Sequence, residues 1–211
     1  MIYLMSYCPL ANSKCGRDVA ARHGIPPYVD ASCRREPDFE LDRPFISGLC
    51  RPSFIAKLAE GEVLVYVTTK RPIHREGRRL VAVLQLNQPF ASHAAAAAWY
   101  LENDMRIPYS CIVPGNDPLP ISKANPKCYR TCSKFTSSED WDVSKYVQRA
   151  KDCVRCFSST SLFLCLRTPP ILNDEFWNQH DCDPRKTQNA GLPLQQGVYD
   201  ALLEHAGIPP L

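Results

Sequence analysis

The chain has 211 residues, 45% of them hydrophobic, and a formal net charge of +3. This length predicts one domain, or one domain with an appendage, and the apolar content allows a real core. The charge is too small to indicate nucleic-acid binding from bulk electrostatics alone. No segment approaches the roughly 18 apolar residues of a membrane span, and the start lacks a signal-peptide pattern, so we expect a cytoplasmic protein.

Apolar runs predict the strands of a small β-core in the first half of the chain. These runs are residues 2–7, 63–68 and 80–86, with one further strand expected from residue 109 onward. Helices are predicted where capping residues and a one-sided apolar pattern occur together. They are residues 14–23 before Gly24, residues 52–60 beginning at Pro52, and the alanine-rich segment after Ser92.

The charged segment, residues 30–51, has dense charge of both signs and the period of neither a helix nor a strand. Ordering such a segment is costly unless its charges pair or meet a ligand. Its candidate binding residues are Asp30, Cys33, Arg34, Arg35, Glu36, Asp38, Cys50 and Arg51. Two interpretations stay open: an ion-pair network that holds an irregular loop, or a binding site on the β-core.

A basic loop, residues 70–79, joins the strands predicted at residues 63–68 and 80–86. Its cations are Lys70, Arg71, Arg75, Arg78 and Arg79, and Glu76 is the single acidic residue among them. A charge run of this kind is either a solvated hairpin tip or a surface that contacts phosphate groups.

From residue 121 the composition changes, and six of the 11 cysteines lie between Cys128 and Cys182. We therefore expect a core at residues 1–120 and a cysteine-containing, helical and irregular extension at residues 121–211. Helices are predicted in this extension after Ser137, with apolar residues at 143, 147, 150 and 154, and again at residues 198–206.

Two cysteine pairs in this second half have a spacing that zinc sites tolerate. Cys128 and Cys132 form the first pair, and Cys153 and Cys156 the second. Four thiolates in two pairs can close a tetrahedron around Zn²⁺. The alternative is a set of ordinary reduced thiols that are partly buried. Zinc is thus the one possible cofactor, and the oligomeric state is not indicated.

Several short motifs, in their order and spacing, resemble the nucleotide-modification-associated domain families of phages and bacteria. They are residues 30–38, residues 49–51, Gly61 with residues 65–68, and residues 92–100. The resemblance covers about residues 1–120. It implies an α+β fold like the PUA, ASCH and EVE domains, a small, strongly bent β-barrel or sheet with short helices. It also implies binding of nucleic acid or a modified nucleotide, in a setting of DNA modification or defence, and provides no catalytic residue.

A protein that recognises a modified base in this way holds one flipped base against hydrogen-bonding groups and an aromatic wall. In the charged segment, Asp30, Glu36 and Asp38 would accept from a base amine, and Arg34, Arg35 and Arg51 would clamp a base or a phosphate. Tyr66, Trp99 and Tyr100 are the candidates for the aromatic wall, although the alanine-rich helix that carries Trp99 and Tyr100 favours core packing for both. Thr68 lies at the end of the strand that carries Tyr66.

Two other function classes compete with this interpretation. A nucleotide-processing enzyme would use the same carboxylates and arginines, and we expect carboxylates beside arginines to have lowered pKa values and to stay ionised. A nucleophile formed by Cys33 or Cys50 with His74 or His93 is a weaker variant. The last class is a zinc-stabilised interaction module without a nucleotide site.

Overall fold

The computed structural model describes residues 1–69, 76–125, 135–187 and 190–209. Its strands are β1 (Ile2–Tyr7), β2 (Phe45–Ile46), β3 (Val63–Thr68), β4 (Arg78–Phe90), β5 (Cys156–Leu164), β6 (Ile171–Leu172) and β7 (Leu192–Leu194). Its helices are α1 (Lys14–His23), α2 (Pro52–Ile55), α3 (His93–Glu102), α4 (Ser138–Asp142), α5 (Gln148–Lys151), α6 (Asp174–Gln179) and α7 (Gln196–His205). A π-helical segment, Val143–Val147, joins α4 to α5.

The strands form one mixed sheet in the order β2-β5-β4-β3-β1-β7, and β6 pairs with the start of β4. β1 and β3 run parallel, whereas β3, β4 and β5 are antiparallel neighbours. The predicted mixture of strands with short helices is confirmed. Because β5 lies between β2 and β4, the sheet takes strands from both sides of residue 120. The predicted division at that residue is therefore not a division of the sheet.

Both faces of the sheet are covered, because successive side chains of a strand point to opposite faces. On one face, Met5 of β1 and Tyr66 of β3 belong to an apolar cluster with Phe39 of the charged segment. On the other face, residues of the same strands pack against α6 and α7, for example Val65 against Leu202. Each fully buried side chain of this size contributes about 1.5–3 kcal/mol. The charged segment thus lies on one face and the C-terminal helices on the other.

Local capping explains why the predicted helices after Ser13 and Ser92 form as expected. The Ser13 side chain accepts from the backbone N–H of Gly16, and Gly24 ends α1 in a left-handed conformation with φ of 66°. Ser92 caps α3 in the same way through the N–H of Ala95. Each of these contacts satisfies one backbone N–H that a helix end leaves unpaired.

Three of the predicted elements differ from the structure. The expected strand from residue 109 is irregular, with turns closed by Asn116, whose side-chain amide donates to two carbonyl oxygens. The expected helix at residues 52–60 is the single turn α2. In the helix after Ser137, the π-helical segment shifts the periodicity, so that Val143 is exposed and Tyr146 is buried instead. None of the described helices has the length and apolar character to cross a membrane.

Candidate functional site

The charged segment lies almost entirely inside the protein. Its side chains Asp30, Cys33, Arg34, Arg35, Glu36 and Asp38 are each at most 8% exposed. Buried charges are tolerated when they are paired and hydrogen-bonded. The contacts of each side chain therefore decide between the two interpretations that the sequence leaves open.

Arg34 connects distant parts of the chain through hydrogen bonds of its side chain. Its Nε donates to Asp142 Oδ1 at 2.7 Å and its Nη2 to the other oxygen of the same carboxylate, a two-point ion pair. Its Nη1 donates to the carbonyl oxygens of Tyr109 and Asn116, at 3.2 and 2.7 Å. With these groups engaged, Arg34 joins α4 to the irregular 109–116 region, and the ligand contact that the sequence predicted for it stays a prediction.

The side chains of Arg35 and Asp38 are likewise engaged in hydrogen bonds within the protein. Arg35 donates to the carbonyl oxygens of Ser32 at 3.1 Å and Lys123 at 2.6 Å, and burial lowers the pKa of its guanidinium. Asp38 accepts two hydrogen bonds from Arg106, each at 2.9 Å, and one from the N–H of Tyr109 at 2.8 Å. For these residues the network interpretation is correct, and the predicted direct contact with a base is not supported.

Asp30 holds the backbone around Glu36. Its Oδ1 accepts from the N–H of Ser32 at 2.9 Å and from the N–H of Glu36 at 3.2 Å. Burial raises the pKa of the Asp30 carboxyl, although these hydrogen bonds oppose the shift. Asp30 therefore positions Glu36 and does not itself line the cavity described next.

Four of the predicted binding residues, Glu36, Cys50, Arg51 and Tyr66, do come together at one small cavity. The other lining residues are Met5, Pro37, Ile46 and Ile55. We call this the Glu36 cavity. Its volume is about 10 Å³, which accommodates about one water molecule. The sheet supplies the floor through β1 and β3, and the segment that leads into α2 supplies the outer wall, where Cys50 is exposed and Arg51 half-buried.

The polar groups of the Glu36 cavity are only partly used by the fold. Glu36 Oε2 accepts from the Ser47 hydroxyl and from the Ser47 N–H, whereas Oε1 makes no hydrogen bond with the described residues. Arg51 Nη2 donates to the carbonyl oxygens of Ser6 and Thr187, at 2.6 and 3.1 Å, and its buried Nε has no partner among the described residues. The hydroxyl of Tyr66 likewise makes no hydrogen bond with them. The cavity thus offers a ligand one hydrogen-bond acceptor, Glu36 Oε1, one donor, Arg51 Nε, and the hydroxyl of Tyr66.

The protonation of Glu36 differs from the sequence-based expectation. Burial raises the pKa of its carboxyl to about 7, and the hydrogen bonds from Ser47 offset only part of the shift. The expected lowering of carboxylate pKa values beside arginines is wrong for Glu36 and for Asp30, because desolvation outweighs the attraction of the arginines. Burial also raises the pKa of the Tyr66 hydroxyl, with the Glu36 charge adding to the shift. Tyr66 is therefore neutral over the whole physiological pH range and Glu36 over part of it.

The remaining predicted contacts lie elsewhere or outside the described residues. Thr68 is buried, and its Oγ1 accepts from the N–H of Arg79 at 3.0 Å. Arg78 and Arg79 point in different directions: Arg78 lines a cleft beside α6, whereas Arg79 donates to Pro169 O at 3.0 Å and lies over the Tyr28 ring. The predicted phosphate contacts Lys70, Arg71 and Arg75 lie outside the described residues, as does His74.

Cys153 and Cys156, the described pair of the predicted zinc set, are buried thiols with raised pKa values. Cys153 Sγ donates to Ser47 O at 3.0 Å, and Cys156 Sγ lies 3.8 Å from Phe90 O. Burial raises the pKa of Cys153 to about 12 and also raises that of Cys156. Cys128 and Cys132, the other half of the predicted zinc set, lie outside the described residues. Across the described ranges, no three His, Cys, Asp or Glu side chains are grouped to hold a metal ion.

The predicted nucleophilic pairing of a cysteine with His93 is not formed at Cys33. Burial raises the pKa of the Cys33 thiol, and it lowers the pKa of His93 to about 4. The Nδ1 atom of His93 accepts from the N–H of Ile112 at 2.9 Å. A thiolate nucleophile needs a lowered thiol pKa and a base within reach, and neither condition is met here.

Sequence reasoning missed the residues that hold the cavity in shape. Ser47 orients the Glu36 carboxylate, and Ser6 and Thr187 receive the Arg51 guanidinium. Thr187 is 136 residues from Arg51 and also donates to the carbonyl oxygen of Pro184 at 2.7 Å. Small hydroxyl residues at such separations carry no motif, so only the fold reveals their role.

Known proteins provide no further constraint on this site. No family model, no curated protein and no solved structure matches the chain. We therefore infer a function from the geometry of the Glu36 cavity and of the surface around it.

Proposed function

We propose that this chain recognises nucleic acid or a nucleotide, including modified bases, by placing the edge of one base against Glu36, Arg51 and Tyr66. The observation that carries the proposal is the convergence of these side chains on one cavity with unused hydrogen-bonding groups. The edge of a base presents donors and acceptors in one plane. Glu36 Oε1 matches a base amine, and Arg51 Nε matches a ring nitrogen or a carbonyl oxygen.

The apolar walls of the cavity support the same ligand class. Met5, Ile46 and Ile55 surround the polar groups, and sites for small organic ligands combine apolar walls with a few convergent polar groups. A carboxylic acid and a guanidinium in such surroundings form stronger hydrogen bonds than they would in water. Discrimination between bases would follow, because a base without the matching group leaves a buried polar atom unpaired.

The size of the cavity sets a condition on this mechanism. A volume of about 10 Å³ accepts one water and not a base. Entry of a base edge therefore requires the outer wall, formed by Cys50 and Arg51, to move away from β3. This wall is where the cavity meets solvent, and α2 behind it is a single turn. The PUA-like identity of the fold is part of the same proposal.

One observation favours a second candidate function, a nucleotide-processing enzyme. Glu36 has a pKa of about 7, which is near the optimum for a group that both donates and accepts a proton at neutral pH. A buried carboxyl of this kind beside Tyr66 suits general acid–base chemistry on a bound base or sugar. If the protein is such an enzyme, the same cavity binds the substrate and Glu36 transfers the proton.

The test compares two matched variants, Glu36→Gln and Glu40→Gln. Both remove one acidic group from the charged segment, but Glu40 does not line the cavity and pairs with Arg35 at 3.6 Å. Fluorescence anisotropy would measure binding of single-stranded oligonucleotides with plain and modified bases and no terminal phosphate. We expect Glu36→Gln to change affinity or base preference about tenfold, and Glu40→Gln to leave both unchanged.

Mass spectrometry of the same mixtures separates the two functions. A protein that only recognises the base leaves the mass of the oligonucleotide unchanged. An enzyme changes the mass of the oligonucleotide, and its Glu36→Gln variant folds but no longer turns the oligonucleotide over. Equal binding by the wild type and both variants, without turnover, would contradict a functional role of the cavity.

A further inference from the structure

A second, larger cleft lies on the opposite face of the sheet from the Glu36 cavity. Its lining residues are Arg78, Asp174, Trp177, Asn178, Asp181, Cys182, Asp183, Pro184, Arg185 and Lys186, and its volume is about 610 Å³. This volume lies within the range of small-molecule sites. We call it the Arg78 cleft. The start of β4 forms one wall, and α6 with the turn that follows it forms the other.

Arg78 is a buried cation without a carboxylate partner. It is 7% exposed, and its Nη1 donates to the carbonyl oxygen of Thr68 at 2.9 Å. None of the described carboxylates lies within 4.0 Å of its guanidinium. Burial lowers its pKa, with Asp183 and Asp174 opposing the shift from farther away. A buried charge with so little compensation is costly unless something else supplies the opposite charge.

The other cations of the cleft differ in how far they are used. Arg185 is committed to Asp183, because its Nε and Nη2 donate to the two carboxylate oxygens at 2.9 and 3.0 Å. The ammonium group of Lys186, in the same turn, makes no hydrogen bond or ion pair with the described residues. Among the described cations of the cleft, Arg78 and Lys186 thus remain for a ligand, the first buried and the second exposed.

The acidic side chains of the cleft restrict the kind of anion that fits. Asp174 and Asp181 are exposed at its edge, so the described lining has three aspartates beside its three cations. A polyanion such as a nucleic-acid strand would meet these carboxylates as well as the cations. A small ligand with one anionic group gains the contact with Arg78 and directs a hydroxyl or amine donor toward Asp181.

We propose that the Arg78 cleft binds a small phosphomonoester, with the phosphate on Arg78 and Lys186 and a polar organic part along Trp177 and Asp181. Guanidinium groups match phosphate oxygens through two parallel hydrogen bonds. The volume exceeds what a phosphate group needs, so the organic part has room of its own. This site does not depend on the function of the Glu36 cavity.

The experiment uses ribose 5-phosphate and ribose as a matched pair of probes. Calorimetric titration of the full chain should detect binding of the phosphate ester and none of the free sugar. Lys186→Ala removes an exposed side chain and should weaken the binding of ribose 5-phosphate about tenfold. Lys57→Ala, an exposed lysine on the surface near α2 that does not line the cleft, makes the same change in charge and should have no effect.

Binding is also measured for the variant Arg78→Gln, because the exposed Lys186 contributes only part of the site. A thermal melt first establishes that this variant is folded, and Arg78→Lys follows as a charge-retaining comparison. We expect Arg78→Gln to lose binding by more than about tenfold and Arg78→Lys to retain part of it. Absence of ribose 5-phosphate binding by the wild type overturns the proposal, and so does binding that Lys186→Ala leaves unchanged or that ribose equals.

Discussion

Glu36 accepts two hydrogen bonds from Ser47, and both reach the same carboxylate oxygen, Oε2. The N–H of Ser47 lies 3.3 Å from this oxygen, and the hydroxyl of the same residue is the second donor. Oε1 makes no hydrogen bond with the described residues, while Glu36 lines a cavity with Tyr66. The fold therefore fixes the orientation of the carboxylate through one oxygen and leaves the other to the cavity.

Tyr66→Phe should separate binding from folding. The Tyr66 hydroxyl makes no hydrogen bond with the described residues, so its removal leaves no buried partner unsatisfied. We expect the free energy of unfolding to change by less than about 0.5 kcal/mol, while the affinity for the preferred base falls. Urea unfolding and oligonucleotide binding on the same preparation measure the two effects.

Tyr100→Phe is the matched control for this substitution. Tyr100 is fully buried, and its hydroxyl donates to the carbonyl oxygen of Arg43 at 2.7 Å. Removing it should cost about 1 kcal/mol of stability and leave binding unchanged. If Tyr66→Phe behaves like Tyr100→Phe in both measurements, the Tyr66 hydroxyl has a structural role only.

Glu36 should make the protein less stable as the pH rises toward neutrality. Its pKa in the fold is about 7, above the ordinary 4.5, so the folded state holds a proton that the unfolded state has released. Stability from this group is therefore lost between about pH 4.5 and pH 7, by at most about 1.4 kcal/mol per pH unit. Glu36→Gln should remove this loss.

His93 acts in the opposite direction within an overlapping range. Its pKa is lowered to about 4 by burial, below the ordinary 6.5, so the unfolded state binds the proton first as the pH falls. Its contribution to stability is complete above about pH 6.5 and is lost as the pH falls toward 4.

Urea unfolding at pH 5, 6 and 7 distinguishes the two groups. Glu36→Gln should become more stable, relative to the wild type, as the pH rises, because only the wild type loses the contribution of Glu36, whereas the contribution of His93 is common to both proteins and cancels. Stability curves of variant and wild type that run parallel over this range would show that Glu36 has an ordinary pKa in the fold.

The ion pair of Arg34 and Asp142 should be worth far more to folding than to binding. Both side chains are at most 7% exposed, so Arg34→Met leaves the Asp142 carboxylate buried and unpaired. We expect a loss of about 3 kcal/mol, and the double variant Arg34→Met with Asp142→Leu should recover part of it. The exposed pair of Arg185 and Asp183 is the control, since Arg185→Met should hardly change stability.

This prediction replaces a role for Arg34 in ligand contact. A variant that folds as stably as the wild type but binds oligonucleotides more weakly would restore the original interpretation. Double-mutant analysis is needed because residues within one network are not additive.

The elements that the sequence predicts well are those with local causes. The helix at Lys14–His23 follows from a serine cap and a glycine stop, and the strand at Val63–Thr68 from a run of β-branched and aromatic residues. The expected strand from residue 109 failed because its apolar residues lie in turns that the Asn116 side chain stabilises. A side chain that competes for backbone hydrogen bonds overrides local propensity.

The candidate site was predictable only as far as a local pattern in the sequence marks it. Composition identifies the charged segment, but the partners of its charges lie 108 residues away for Arg34 and 68 for Asp38. No local pattern encodes contacts of that separation. The pKa of Glu36 was missed because burial, which the sequence does not reveal at a polar position, outweighs the nearby arginines.

Base recognition in the Glu36 cavity is tested most directly by NMR titration of the [¹³C]tyrosine-labelled protein with the oligonucleotide that it binds best. We expect the Tyr66 signal to shift in proportion to the bound fraction, while the signal of Tyr100, buried with its hydroxyl on a backbone carbonyl, stays in place. A Tyr66 signal that does not move at saturation, or no binding of any oligonucleotide, would contradict recognition of a base in the Glu36 cavity.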